Sequence, residues 1–348
     1  MSHAAPSANT LDTRPVDVVQ WAMRILVLGG TAWLGGEVAA LAQGAGHQVT
    51  CLARGSAAAP ERTAFVAGDR DTEGGLSAVD GARWDAVVDV SRHPGQVRRA
   101  TRQLDAGHWV LVSSANVYAD FSTLEQDEDS RVRAPLDGEV MTSMDVYGEA
   151  KVACEEAMRA AEGTATIVRS GLLGGPGDWT GRTGYWPWRF AHPVDEEVVV
   201  PDDPGFPCAL IDVRDLAGWI VSAAEHGLDG TFNATGPTTP LAEVLDTARH
   251  LGGAGARPRP VPGARLAELG VAAWMGPRSL PLWIDDPQWR GFATLDTSRA
   301  RACGLVTRPL RETLADAAAH EEVRVTPRRA GLSDEEEREV LRLERARG

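Results

Sequence analysis

Lysine is almost missing from this chain. Of the 35 Lys and Arg residues among 348, only Lys151 is a lysine. Codon bias in a GC-rich genome accounts for the missing lysines but not for the place of the one that remains. Tyrosine is also scarce, at three residues (Tyr118, Tyr147, Tyr185) against 11 tryptophans. The four cysteines (Cys51, Cys154, Cys208, Cys303) form no CxxC pair and have no histidine at ligand spacing. That argues against a metal site or a disulfide framework and fits a reducing compartment. No run approaches the ~18 apolar residues that span a bilayer. Residues 1–22 hold Asp12, Arg14 and Asp17 but no apolar core of a signal peptide. They read as a flexible leader on a cytoplasmic protein. Positive charge is in deficit as well: the net charge is -14. Nucleic acid and anionic membrane are therefore poor partners, since both need cationic surface.

What is present is ordinary for a soluble globular protein, with 43% hydrophobic and 24% charged residues. The length allows one large or two modest domains. In the first half, short apolar runs alternate with helical patterns. Strands are expected at 24–28, 47–52, 64–67, 84–90, 109–113 and 165–169. Helices are expected after the first strand to about Gln43, over 94–104 and over 144–161. This alternation predicts an α/β fold with a doubly wound parallel sheet. Beyond Ser170, Pro, Gly and Trp become frequent. The expected division is a dinucleotide-binding domain over 23–170, its sheet continued by parts of 205–235, and a smaller substrate lobe over 171–330. Over 331–348, Ser333-Asp-Glu-Glu336 is a capping box that opens a charged, peripheral helix.

Leu28-Gly-Gly-Thr-Ala-Trp-Leu-Gly35 joins the first strand to the first helix. Such a turn brings backbone amides and a helix N-terminus to a pyrophosphate. It makes Gly29, Thr31, Ala32, Trp33, Leu34 and Gly35 cofactor contacts. Where an NAD-binding fold places an acid to hold the ribose, this chain has Ala53 and then Arg54. A guanidinium in place of a carboxylate predicts NADP(H), because Arg pairs bidentately with a 2′-phosphate. Asp69 and Arg70 follow the third strand. Asp69 suits either a contact to the adenine amino group or a helix cap.

Tyr147-Gly-Glu-Ala-Lys151 sets the lone lysine one helical turn from one of three tyrosines, on the same face. A neighbouring ammonium favours phenolate, which suits general acid–base work. Ser113-Ser114-Ala-Asn-Val-Tyr118 supplies hydroxyls at the end of the fifth strand, the edge where such sheets bind ligands.

Taken with VRSGLLGGPGD and IDVRDLAGWIV, these motifs resemble, in order, those of the extended or atypical extended short-chain dehydrogenase/reductases, the NAD-dependent epimerase/dehydratase group. The resemblance spans about residues 23–320. It implies Tyr147 as acid/base, Lys151 as the residue that tunes it and holds the ribose, and Ser114 as the hydroxyl on the reacting oxygen, with Ser113 as fallback. It also implies that Val90, Ser91, Ser113, Ser170 and Leu172 line the cofactor, and that members often pair through two helices, here 94–104 and the Tyr147 helix. The departures matter. The positions where relatives acting on nucleotide sugars hold the diphosphate with arginine carry Cys208 and Asp286. The expected substrate is therefore a small non-nucleotide molecule, neutral or cationic, such as a sugar, polyol or natural-product intermediate.

Aromatic side chains stack on sugar faces and cover apolar rings. Trp186, Trp188 and Trp283, read as lying in Pro-rich loops, are the expected pocket walls, with Asn116 beside them. Trp21, Trp84, Trp109 and Trp219 read as structural. The histidines, His93 among them, read as surface or loop residues. The main expectation is an NADP(H)-dependent carbonyl reductase or alcohol dehydrogenase. An epimerase with an internal redox cycle is the second reading, and a non-catalytic dinucleotide-sensing or RNA-binding module is the third.

Overall fold

The computed structural model describes residues 22–347. The leader expected over 1–22, Trp21 included, lies, except for its last residue, outside the described residues. Six parallel strands come from the first half: β1 (Arg24–Leu28), β2 (Gln48–Ala53), β3 (Ala64–Ala67), β4 (Arg83–Asp89), β5 (Asp105–Ser114) and β6 (Thr164–Ser170). A seventh strand, Gly230–Ala234, pairs with β6. The spatial order from that strand is β6, β5, β4, β1, β2, β3. The chain reverses direction across the sheet between β1 and β4, so a crevice opens beyond their carboxyl ends.

Side-chain alternation explains the two covered faces. Ile25, Val27, Ala86, Val88, Val110, Val112 and Val168 pack on one side with helices α1 (Trp33–Gly44) and α5 (Val213–His226). Leu26, Leu28, Val87, Trp109, Leu111 and Ile167 pack on the other with α2 (Pro94–Gln103) and α3 (Tyr147–Arg159). Trp84, Trp109 and Trp219 are buried in these layers, as expected of structural residues.

A second core gathers residues from 185 to 341. It includes Tyr185, Trp186 and Phe190 of α4 (Arg182–Ala191). The stretch around them, read as Pro-rich loop, is thus partly helical, with Pro187 inside the helix. Trp186 is fully buried and its Nε1 donates to the Pro281 carbonyl at 3.0 Å. Trp283 is buried in the same core. Trp188 lies between the Arg189 and Arg328 guanidiniums, 5.0 and 3.5 Å from its ring centre. Trp186 and Trp283 are therefore core residues and not pocket walls, and the half-buried Trp188 packs on Arg328 and His192.

The terminal helix (Asp334–Arg345) opens with the expected capping box on Ser333 and Glu336. It is not peripheral. Val340 and Leu341 enter the second core, and Glu337 is fully buried. Glu337 sits 2.8 Å from Arg189 Nε and accepts from the Val199 amide at 2.9 Å. Burial pushes its carboxyl up to about 7, against the pull of Arg189.

Candidate functional site

The turn after β1 is shaped to admit a bound group closely. Gly29 adopts φ +91°, a left-handed conformation that glycine takes without strain. A Cβ on Gly35 would stand 2.2 Å from the Gly29 carbonyl oxygen, so any larger residue there would push the helix off the turn. The α1 N-terminus has neither a side-chain cap nor an acid in its first turn. Its leading amides and dipole are left for an anion. Trp33 Nε1 donates to the Pro176 carbonyl at 2.8 Å, tying the turn to the segment that follows β6.

Beside the turn lies a cavity of ≈ 320 Å³. Gly29, Thr31, Ala32, Arg54, Asp69, Arg70, Val90 and Ser91 line it, together with Ser56, Asp71, Arg92, His93 and Gln96. Arg54 forms no ion pair among the described residues and stands at the exposed end of β2. Asp69 lines the cavity while its carboxylate accepts from the Asp71 amide at 3.1 Å, so it serves the local turn as well. Arg70 departs from expectation. Its guanidinium is held bidentately by the fully buried Asp89, at 2.8 and 2.6 Å. It braces the cavity floor and has no charge to offer a ligand. Asp89 also accepts from the Ser91 amide at 2.8 Å. It was not anticipated, since nothing local marks a carboxylate whose partner lies 19 residues earlier.

His93 lies in a loop, as the sequence suggests, and it also lines this cavity. Its Nδ1 accepts from the Met141 amide at 3.1 Å, which leaves Nε2 to carry the proton of the neutral ring. Burial lowers its pKa. Asp71 opposes that fall, and Arg92, Arg54 and Lys151 add to it. The Ser-Arg-His run after β4, facing the Gly-rich turn, was the available signal for Arg92 and His93.

The residues expected to react lie on the first turns of α3 and at the end of β5. Tyr147 opens α3 and is half-buried. Lys151, one turn on, is buried with its Nζ 5.9 Å from the centre of the Tyr147 ring. The ammonium donates to the carbonyls of Ser91 (2.5 Å) and Val112 (2.7 Å). Gly148 permits the approach of α3: a Cβ there would stand 2.2 Å from the Asn116 carbonyl oxygen. Ser114, the last residue of β5, accepts from the Asn116 amide (3.2 Å) and side chain (3.1 Å). Its hydroxyl proton remains free to be donated, and Asn116 orients that hydroxyl.

Ser113 faces the other way. Its hydroxyl donates to Glu155 at 2.6 Å, inside a buried network in which Arg169 holds Glu155 at 3.1 and 3.0 Å and Tyr118 at 3.2 Å. Alternation along a strand puts neighbouring side chains on opposite faces, so Ser113 is neither the fallback hydroxyl nor a cofactor contact. Ser170 donates to the adjacent Gly171 carbonyl at 3.0 Å, and Leu172 begins a short strand paired with Leu210. Cys208 is buried against the Leu282 carbonyl at 3.2 Å. Asp286 caps a short 3₁₀ turn by accepting from the Gln288 amide at 2.8 Å. Neither residue presents a charge for a diphosphate.

No protein-family model matches the chain. Among curated proteins it is similar to the 3-diazoavenalumate denitrifying reductase of a Streptomyces species, 27% identical over 71% of this chain and 87% of the relative. It is also similar to an epimerase family protein of Bos taurus, 29% identical over 69% of this chain and 83% of the relative. Among solved structures, a putative epimerase from Burkholderia cenocepacia superposes with a TM-score of 0.67 at 20% identity, over 87% of this chain and all of the other. The enzyme WbmH of Bordetella bronchiseptica, solved with NAD+, superposes with a TM-score of 0.66 at 17% identity, over 88% and 100%. The chain thus has the fold of the extended short-chain dehydrogenase/reductases of the NAD-dependent epimerase/dehydratase kind, and its sequence is similar to a reductase and to an epimerase family protein.

Proposed function

We propose that the protein is an NADP(H)-dependent oxidoreductase that reduces a carbonyl, or oxidises the matching alcohol, on a small non-nucleotide molecule. The observation that carries the reading is the seat of Lys151. The only lysine of the chain is held by two backbone carbonyls, 5.9 Å from the centre of the Tyr147 ring, and one of those carbonyls belongs to Ser91, which lines the cavity that begins at the Gly-rich turn.

The turn fits a dinucleotide, since Gly29 and Gly35 leave room for one and the α1 N-terminus is uncapped. Thr31, Ala32 and the α1 amides would hold the pyrophosphate. Arg54, with Ser56 and Arg92 on the same cavity wall, would hold a 2′-phosphate. Support for NADP over NAD is the absence of a carboxylate at Ala53. The nicotinamide, when bound, would supply the hydride. Ser114 Oγ would donate to the substrate oxygen and fix its place. The Tyr147 hydroxyl would give up its proton to that oxygen as charge develops on it. Lys151 would hold positive charge below the phenol and orient the nicotinamide-side ribose.

The fold neighbours favour a second reading. WbmH was solved with NAD+, and a UDP-glucose 4-epimerase of Thermotoga maritima was solved with UDP-glucose. An epimerase would oxidise and re-reduce one substrate with its cofactor retained. The two separate on stoichiometry. Our reading predicts one NADPH consumed per carbonyl reduced, whereas product formation with no net cofactor change would establish the epimerase instead. In either case the α2 and α3 flank would be the face through which two copies pair, which sedimentation would test.

A further inference from the structure

One ring nitrogen of His93 is bonded and the other is not. The backbone places the ring. His93 caps α2, Pro94 follows it as the first helical residue, and its own amide donates to Ser91 Oγ at 3.1 Å. The segment 138–141 is clamped to the start of the same helix. Gly95 donates to the Glu139 carbonyl at 2.8 Å, and a Cβ on Gly95 would stand 2.5 Å from the Glu139 carboxylate. Arg98 donates to the Gly138 carbonyl at 2.9 Å and to the Glu139 side chain at 2.8 Å. These contacts hold the amide of the buried Met141 against His93 Nδ1. An amide can only donate, so Nδ1 must accept, and the backbone thereby fixes the proton of the neutral ring on Nε2.

Nε2 has no partner among the described residues. Nearby polar groups of the wall are turned to one another: Ser91 Oγ donates to Gln96 at 2.6 Å, and Asp71 accepts from Gln96 at 2.6 Å. The ring lines the same cavity as Arg54 and Arg92. Burial, with the charges of Arg92, Arg54 and Lys151 set against that of Asp71, keeps it neutral. A neutral N–H donor set among cations calls for an acceptor oxygen that carries or shares negative charge. The ring also lies within the field of both Arg54 and Lys151. On the proposed function these mark opposite ends of the bound cofactor, the 2′-phosphate and the nicotinamide-side ribose.

We infer that His93 is a cofactor-binding residue, whose Nε2 donates to an oxygen of the pyrophosphate or its flanking riboses, the part that NADPH and NADH share. The inference rests on the dinucleotide reading of the cavity. It adds a contact that, unlike Arg54, does not choose between the two nucleotides. Because the Met141 amide holds the tautomer before any ligand arrives, the donor is ready without rearrangement.

Two near-isosteric replacements separate the ring nitrogens. Asparagine offers an acceptor where Nδ1 stands and nothing at Nε2. Glutamine offers an amide donor near Nε2 and nothing at Nδ1. In calorimetric titration of the full chain, His93→Asn should weaken NADPH and NADH alike, each by about tenfold, with Tm unchanged. His93→Gln should keep both affinities within about threefold of wild type. It should lower Tm by about 2–4 °C, because the Met141 amide loses its acceptor. Unchanged affinity in His93→Asn, an equal loss in both variants, or a loss confined to NADPH would overturn the inference and leave the dinucleotide reading standing. A wild-type chain that binds neither nucleotide would overturn that reading and the inference with it.

Discussion

The Lys151 ammonium lies 2.5 Å from the carbonyl oxygen of Ser91, a bond that joins α3 to the loop after β4. A second bond, 2.7 Å to Val112, completes a seat shaped for a compact donor. A guanidinium is planar, wider and spreads its charge. Lys151→Arg, conservative in charge, should therefore lower kcat/KM by about a hundredfold or more while the protein still folds. Steady-state kinetics with a circular dichroism control checks this, and near-normal turnover would remove Lys151 from the reacting group.

Tyr147→Phe removes one oxygen from a half-buried ring. Turnover should fall by about 10²–10⁴-fold, the range for loss of a general acid. Cofactor affinity, measured by titration, should barely move, because no contact of the cavity wall depends on that oxygen.

The neighbouring serines should behave as opposites. Ser114→Ala should lower kcat by about a hundredfold, as loss of one donor to a reacting oxygen does, with little change in stability. Ser113→Ala should leave kcat close to wild type. It should cost about 1–3 kcal/mol of stability, since Glu155 loses a buried donor. Paired kinetics and denaturant titration distinguish them, and the reverse pattern would restore Ser113 as the site hydroxyl.

Glu155 sets a pH dependence. Burial pushes its carboxyl up, but the bonds and charges of Arg169, Ser113 and Arg159 outweigh this and hold it below 4.5. A carboxyl whose folded value is depressed stabilises the fold above its unfolded value, and that stability is lost as pH falls through the folded one. The wild-type Tm should drop between about pH 5 and pH 3. Glu155→Gln should be less stable at neutrality and lose less over the same interval. Parallel Tm profiles for the two proteins would remove Glu155 from the acid transition.

Much of this was legible in the sequence because it is encoded locally. β1 and β3 fall where the apolar runs place them, and Tyr147 and Lys151 share a helix face by spacing alone. The Ser333–Glu336 box is likewise a four-residue signal. What escaped depends on partners far along the chain. Arg70 reads as a free cation until Asp89 is brought beneath it. Trp186 and Trp283 read as pocket walls because Pro and Gly surround them, yet α4 forms around Pro187 and carries Trp186 into the second core. Ser113 and Ser114 are equivalent as letters and differ only in which face of β5 they take.

On the proposed function, Arg54 would carry the cofactor preference. Arg54→Ala should weaken NADPH binding by about tenfold to a hundredfold and leave NADH binding unchanged, because only the former has a phosphate for the guanidinium to hold. A proportional loss for both cofactors would mean that Arg54 acts on the fold of the cavity and not on the phosphate.

The central claim, a dinucleotide reductase that prefers NADPH, is tested most directly by titrating the wild-type chain with NADPH and NADH under identical salt. The account predicts saturable binding of both, with NADPH at least about tenfold tighter. Equal affinity, tighter NADH, or no binding of either would contradict it.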